Sequence, residues 1–348
     1  MVSYAPLIDE ADVVPVAPRL AIWDAWPLQE IEGRPWRLRN GDQVWMALAA
    51  PRFDDPDLRH AHARIHLFLR NDAGWRHLGP AMPDEFAPGS REWTGSAIVT
   101  GDVMTLYFTA AGRRGEQIIS FEQRLFSAQA TVHLENDGIA CRDWRNLREV
   151  IPPNDHYMAT RGGNGVLGQI KAFRDPGYFY EPKSQRHYIF FAGSLAGSRS
   201  QFNGVVGAAL SDDGVKWTLR PPVISADKLN NELERPHVIR HGGRYYMFWS
   251  TQRHVFNREG PQGPTGLYGM TSTALLEGWQ PLNGTGLVFA NPKEAPAQSY
   301  SWFVLPDLSV ASFVDDWGGS GERRFGGTFA PFLKLSLNGT HAVLEPPQ

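Results

Sequence analysis

The chain has 348 residues, with 34 Lys and Arg against 37 Asp and Glu, a formal net charge of −3 and a pI near 6.4. Its cations are scattered rather than gathered into a stripe, which removes nucleic acid as a partner, and no run reaches the apolar length that spans a bilayer. The lone cysteine, Cys141, allows neither an intramolecular disulfide nor a cysteine-based zinc site.

The opening MVSYAPLIDEADVVP carries acids and prolines where a secretory signal needs a basic start and an apolar run, so no classical export signal is legible and the location stays open. From there, short apolar or alternating runs follow one another: QVWMALAAP (43–51), ARIHLFLRN (63–71), SAIVT (96–100), VMTLYFTAA (103–111), HYIFFAGS (187–194), GVVGAAL (204–210), PHVIRH (236–241), RYYMFWST (244–251), GLYGMTS (266–272), SWFVLPD (301–307) and LSVASFVDD (308–316). Turn signals stand between many of them, including Asn40-Gly41, Asn71 to Gly74, Gly101-Asp102, Asp213-Gly214 and Gly242-Gly243. No linker divides the chain, so one all-β domain over 1–348 is expected. A β-propeller fits best, because blades of about four strands would recur roughly every 40 to 70 residues. The stretch SDDGVKW (211–217) fits it too, with a tight turn over Trp217. A sandwich or jelly roll competes with this reading.

Three segments carry chemistry. AIWDAWPLQ (21–29) sets Asp24 between Trp23 and Trp26, an acid that is costly to bury unless something uses or pairs it. Indole faces with carboxylates are also the composition of sugar sites, although core tryptophans beside a turn aspartate give the same string. AFRDPGY (172–178) fixes Asp175 ahead of Pro176, as a sugar-binding carboxylate or as an ordinary turn. In NELERPH (231–237), an extended strand would put Glu232 and Glu234 on one face and Leu233 and Arg235 on the other. Two like charges on one face raise the pKa of one of them, as a general acid needs, and a solvated edge strand is the alternative. Asp24, Asp175 and Glu234 together form a carboxylate set for glycoside hydrolysis or transfer.

Other patterns carry nothing. GNGVLG (163–168) has the spacing of a dinucleotide loop without its strand and helix. His60, His62 and His66 have no carboxylate in a metal-binding spacing, so a surface or hairpin role is expected of them. No motif calls for a cofactor or a metal.

WDAWP (23–27), EWTGSA (92–97), FRDP (173–176), ELERPH (232–237), GLYGMTSTALLEGWQPLNGTGLV (266–288) and YSWFVLPD (300–307) together resemble the levansucrase-type fructosyltransferases and β-fructofuranosidases of glycoside hydrolase family 68. The resemblance implies a five-bladed β-propeller with a central funnel and a retaining enzyme that cleaves sucrose. By it, Asp24 is the nucleophile, Glu234 the acid and base, and Asp175 the group that holds fructosyl hydroxyls and stabilises the transition state. Trp23, Trp93 and Arg174 shape the same pocket, while Glu232, Arg235 and Tyr300 contact the glucosyl side or hold the acid.

Four departures qualify what it implies. The chain is short for the family, suggesting trimmed loops around the funnel. Asn231 stands where calcium-binding relatives have an aspartate, which argues against a structural calcium. Gln252 stands where many polymer-forming relatives carry Arg or His against acceptor sugars, which favours hydrolysis or short oligosaccharides over long levan. Ala192 stands where a glutamate is common, so the support of Arg174 must differ. Another five-bladed furanosidase acting on arabinan or fructan, or a sugar-binding propeller without catalysis, remains an alternative.

Overall fold

The computed structural model describes residues 2–136, 138–160, 170–318, 321 and 323–346, and the GNGVLG segment lies outside them. Within these residues the chain is all-β, with only short 3-10 turns. The first sheet contains β1 (Leu20–Gln29), β2 (Gln43–Pro51), β3 (Arg64–Asn71), β4 (Gly74–Pro80), β5 (Arg91–Thr100), β6 (Val103–Ala111), β7 (Gln123–Glu135) and β8 (Gly138–Ile151) in the order β4-β3-β2-β1-β5-β6-β7-β8. Its centre is a short parallel contact that pairs Leu28 with Ala97 and Gln29 with Ile98, so it is two antiparallel meanders joined at their first strands.

A second sheet runs β9 (Phe173–Glu181), β10 (Arg186–Ser194), β11 (Gly204–Ser211) and β12 (Thr218–Ser225). A third holds β13 (Glu234–His241), β14 (Arg244–Thr251), β15 (Gly266–Ser272) and β16 (Gln280–Pro281), with β17 (Leu287–Ala290) also on β15. The last holds β18 (Ser299–Val304), β19 (Ser309–Asp316), β20 (Phe325–Phe329), β21 (Leu333–Asn338) and β22 (His341–Leu344). The first strands of the meanders meet one another: β1 lies against β5 and β18, β9 against β5 and β13, and β13 against β18.

The apolar runs read from the sequence fall more often on second strands, β2, β6, β10, β14 and β19, than on first strands, β5, β13 and β18. In β2, Val44, Trp45, Met46, Ala47 and Leu48 are all at most 2% exposed, because both faces are covered by neighbouring sheets and alternation is lost. The turn chemistry follows the residue types. Gly242 and Gly243 take φ of 54° and 78° between paired His241 and Arg244, a two-residue hairpin that needs left-handed backbone at both positions. In SDDGVKW, Asp213 accepts from the amides of Val215 at 2.8 Å and Lys216 at 2.7 Å, and Trp217 packs edge-on against Tyr107. The long pair β7 and β8 escaped the sequence reading, since most of β8 is half-buried or exposed and reads as polar.

Candidate active site

The five strands that meet at the centre share one irregularity. In β1, β9, β13 and β18, two residues face one on the partner strand, and the first of the two has left-handed backbone: Asp24 at φ 54°, Asp175 at 61°, Arg235 at 53° and Ser301 at 60°. The fifth strand, β5, breaks register between Trp93 and Gly95, which puts Thr94 at the same level. Such bulges re-aim side chains, and here they give two adjacent rings: Trp23, Trp93, Arg174, Glu234 and Tyr300, then Asp24, Thr94, Asp175, Arg235 and Ser301. All ten line a single cavity of about 490 Å³, together with Glu232, Gln252, His60, Arg59 and His254.

The second ring is hydrogen-bonded from strand to strand. The Thr94 hydroxyl donates to Asp175 Oδ1, and the Arg235 amide donates to Asp175 Oδ2 at 3.2 Å. The Arg235 guanidinium donates to Ser301 Oγ at 2.6 Å and to the Ala25 carbonyl at 2.6 Å, and Ser301 in turn donates to the Asp24 carboxylate. Burial pushes the Asp24 carboxyl up to about 6, against the pull of Arg235 and Ser301. Burial also raises Asp175, which Arg174 partly offsets.

Arg174 is the hub of the first ring. It donates to Glu234 Oε1 at 2.8 Å and approaches Glu232 and Asp175 at 3.6 Å each. Burial works against its charge, but the carboxylates of Glu234, Glu232 and Asp175 outweigh it and raise its pKa. The Tyr300 hydroxyl donates to the other oxygen of Glu234. Burial and the neighbouring Glu234 raise the Glu232 carboxyl to about 7. Ala192 pairs with Arg174 across the sheet, and the guanidinium's other arm reaches Gln123 Oε1 from β7 at 3.4 Å, so an amide stands in where an acid was expected.

All ten residues singled out from the sequence therefore converge on this cavity. Two sequence expectations need correction. Arg235 does not turn away from Glu234 as regular alternation requires, because the bulge reverses it toward Asp24, while Leu233 does go into the core. Among the histidines, His62 is exposed and His66 stacks on His77 across the β3–β4 hairpin, as expected, but His60 departs: it sits edge-on to Trp23 in the cavity wall, where burial lowers its pKa to about 3. Thr94, Ser301, Gln123 and His60 were missed. Thr94 and Ser301 each follow a residue of the first ring, which was the available signal.

The family model described as "Levansucrase/Invertase" matches residues 4–209 and 202–345. A levansucrase of Pseudomonas syringae pv. actinidiae is 30% identical over 98% of this chain and 86% of its own. An inulosucrase from Halalkalicoccus jeotgali, solved bound to kestose, superposes with a TM-score of 0.90 at 32% identity, over 99% of this chain and 91% of that one. A levansucrase from Gluconacetobacter diazotrophicus gives 0.84 at 25% identity, over 99% and 84%.

Proposed function

The chain belongs to the levansucrase/invertase family, and from that premise we propose that it is a retaining enzyme that cleaves sucrose and passes the fructosyl group to water or to a sugar. The reading rests above all on the convergence of Asp24, Asp175 and Glu234, with Arg174 among them, on one cavity. We propose with it a five-bladed propeller. The meeting of β1, β5, β9, β13 and β18, each at the head of its own meander, supports this.

The proposed steps balance within the cavity. The Asp24 carboxylate attacks the anomeric carbon of the fructosyl unit as the bond to the glycosidic oxygen breaks, and Glu234 gives that oxygen a proton so that glucose leaves neutral. Glu234 then takes a proton from water or an acceptor hydroxyl, which displaces Asp24. Asp175, held by Thr94 and Arg235, binds fructosyl hydroxyls and faces the positive charge that develops at the transition state. Trp23 and Trp93 pack against the sugar, and Glu232 with Gln252 faces the outgoing or incoming unit. The relatives are named for both levan and inulin chemistry, and Gln252 favours water or short acceptors over polymer.

A time course at low and high sucrose, with free glucose and fructose measured separately, tests the reading. Glucose is released at both concentrations, and any excess over fructose stays in short oligosaccharides. Absence of glucose overturns the substrate; high-molecular-weight fructan as the main product overturns the role given to Gln252.

A further inference from the structure

Glu232 reaches the cavity from a loop, and what fixes that loop lies behind it, away from the sugar pocket. Lys171, two residues ahead of β9, sends its ammonium into a nest of three oxygens: the Gln201 carbonyl, Asn203 Oδ1 at 2.9 Å and Asn231 Oδ1 at 2.7 Å. An ammonium has three hydrogens to donate, so these acceptors saturate it. They come from three segments far apart in sequence: the approach to β9, the loop before β11 and the loop before β13. Asn203 and Asn231 are 1% and 0% exposed, so neither has water as a substitute partner.

Asn231 carries the effect onward. With its oxygen committed to Lys171, its NH₂ faces the other way and donates to the Ile170 carbonyl at 3.2 Å and to Glu232 Oε1 at 3.2 Å. Without the lysine, the amide oxygen loses its ammonium partner and the orientation is set more weakly, by the acceptors at Ile170 and Glu232. Turned over, it would set a carbonyl oxygen against the Glu232 carboxylate. The other charges facing Glu232 are Arg174, Glu234 and Asp175, all on the cavity side. Behind it, Asn230 Oδ1 accepts from the Glu232 amide at 2.7 Å and the Thr251 hydroxyl donates to its carbonyl at 2.9 Å, so the backbone is held separately, and the Asn231 amide backed by Lys171 is what reaches the carboxylate itself.

We propose that Lys171 is a positioning residue that serves as an internal cation: it pins the three segments together and orients the Asn231 amide so that Glu232 is presented to the substrate. The inference rests on the sucrose reading for its kinetic consequence and on the chain alone for its structural one. Lys171→Met keeps the length and loses the charge and donors. Hydrogen exchange should quicken in residues 199–204 and 229–233 while the outer strands β4, β8 and β12 stay unchanged. With sucrose, KM should rise roughly five- to tenfold with kcat within about threefold, since the acid Glu234 keeps Arg174 and Tyr300. Lys171→Arg, which retains charge and donors, should recover part of the KM. Unchanged exchange in both segments overturns the proposal whatever the substrate proves to be. Quickened exchange with unchanged KM overturns the positioning role and leaves a scaffold contact. A wild-type protein that releases no glucose sinks the sucrose reading, and the exchange result then decides the pinning by itself.

Discussion

Asp24 illustrates how single residues set the chemistry and what it costs. Its carboxyl stands at about 6 because burial disfavours the charge more than Arg235 and Ser301 restore it. The folded chain therefore holds a proton there that the unfolded chain has lost between about pH 4 and 6, and stability falls as pH rises through that window, by up to about 3 kcal/mol at neutral pH. Asp24→Asn should raise Tm by a few degrees at pH 7 and by less at pH 4, while kcat falls by several orders of magnitude; a lower Tm at pH 7 would refute the sign. The ionised form is the proposed nucleophile, so kcat/KM should drop as pH falls through about 6. Ser301→Ala removes a donor to that carboxylate and should move this limb upward by a fraction of a unit to about one unit, which a pH profile reads directly. At this scale the acids were legible for different reasons: Asp24 because an apolar run makes its charge expensive, Asp175 because Pro176 fixes it, and Glu232 with Glu234 because two like charges stand two residues apart. Thr94, Ser301 and Gln123 were not, since small polar residues are ordinary in strands and only the meeting of distant segments gives them partners.

The repeated bulge is the element that makes the site. Left-handed backbone at a non-glycine residue costs on the order of 1 kcal/mol or more, and Asp24, Asp175, Arg235 and Ser301 all accept it, two of them aspartates, which tolerate it best. Each bulge turns consecutive side chains inward, so a strand that would show the cavity every second residue shows it two in a row. Sequence periodicity misplaced Arg235 for this reason: a period of two holds only where the ladder is regular. Glycines guard the same level. A Cβ on Gly95 would collide with the Tyr107 carbonyl, and one on Gly177 would collide with the Pro236 carbonyl of the next inner strand. Gly177→Ala should lower stability by roughly 2 kcal/mol or more, seen as a clear drop in Tm, and it should raise KM because β9 and β13 must part; a silent substitution would contradict the packing given for these strands.

Across the whole molecule, the start of the chain is tied to its last third. Ser3 and Ala5 pair with Ala290, the Gln298 amide holds the Ile8 amide and the Pro6 carbonyl, and Thr328 donates to the Val14 carbonyl. Gln298 is 1% exposed, so Gln298→Ala should cost about 2 kcal/mol with little change in kcat, as thermal melting and initial rates would reveal. The all-β architecture was readable from alternating runs and turn dipeptides. The pairing of meanders through their first strands was not, because contacts between meanders leave no period in the sequence. The claim that joins residue, bulge and whole molecule is that Asp24 becomes covalently fructosylated during turnover. Rapid acid quenching of the enzyme at steady state with sucrose, followed by peptide mapping by mass spectrometry, tests it most directly. The account predicts one fructosyl unit on the peptide that contains Asp24, absent in Asp24→Asn. Steady sucrose cleavage with that peptide unmodified, or with the label on another carboxylate, would contradict it.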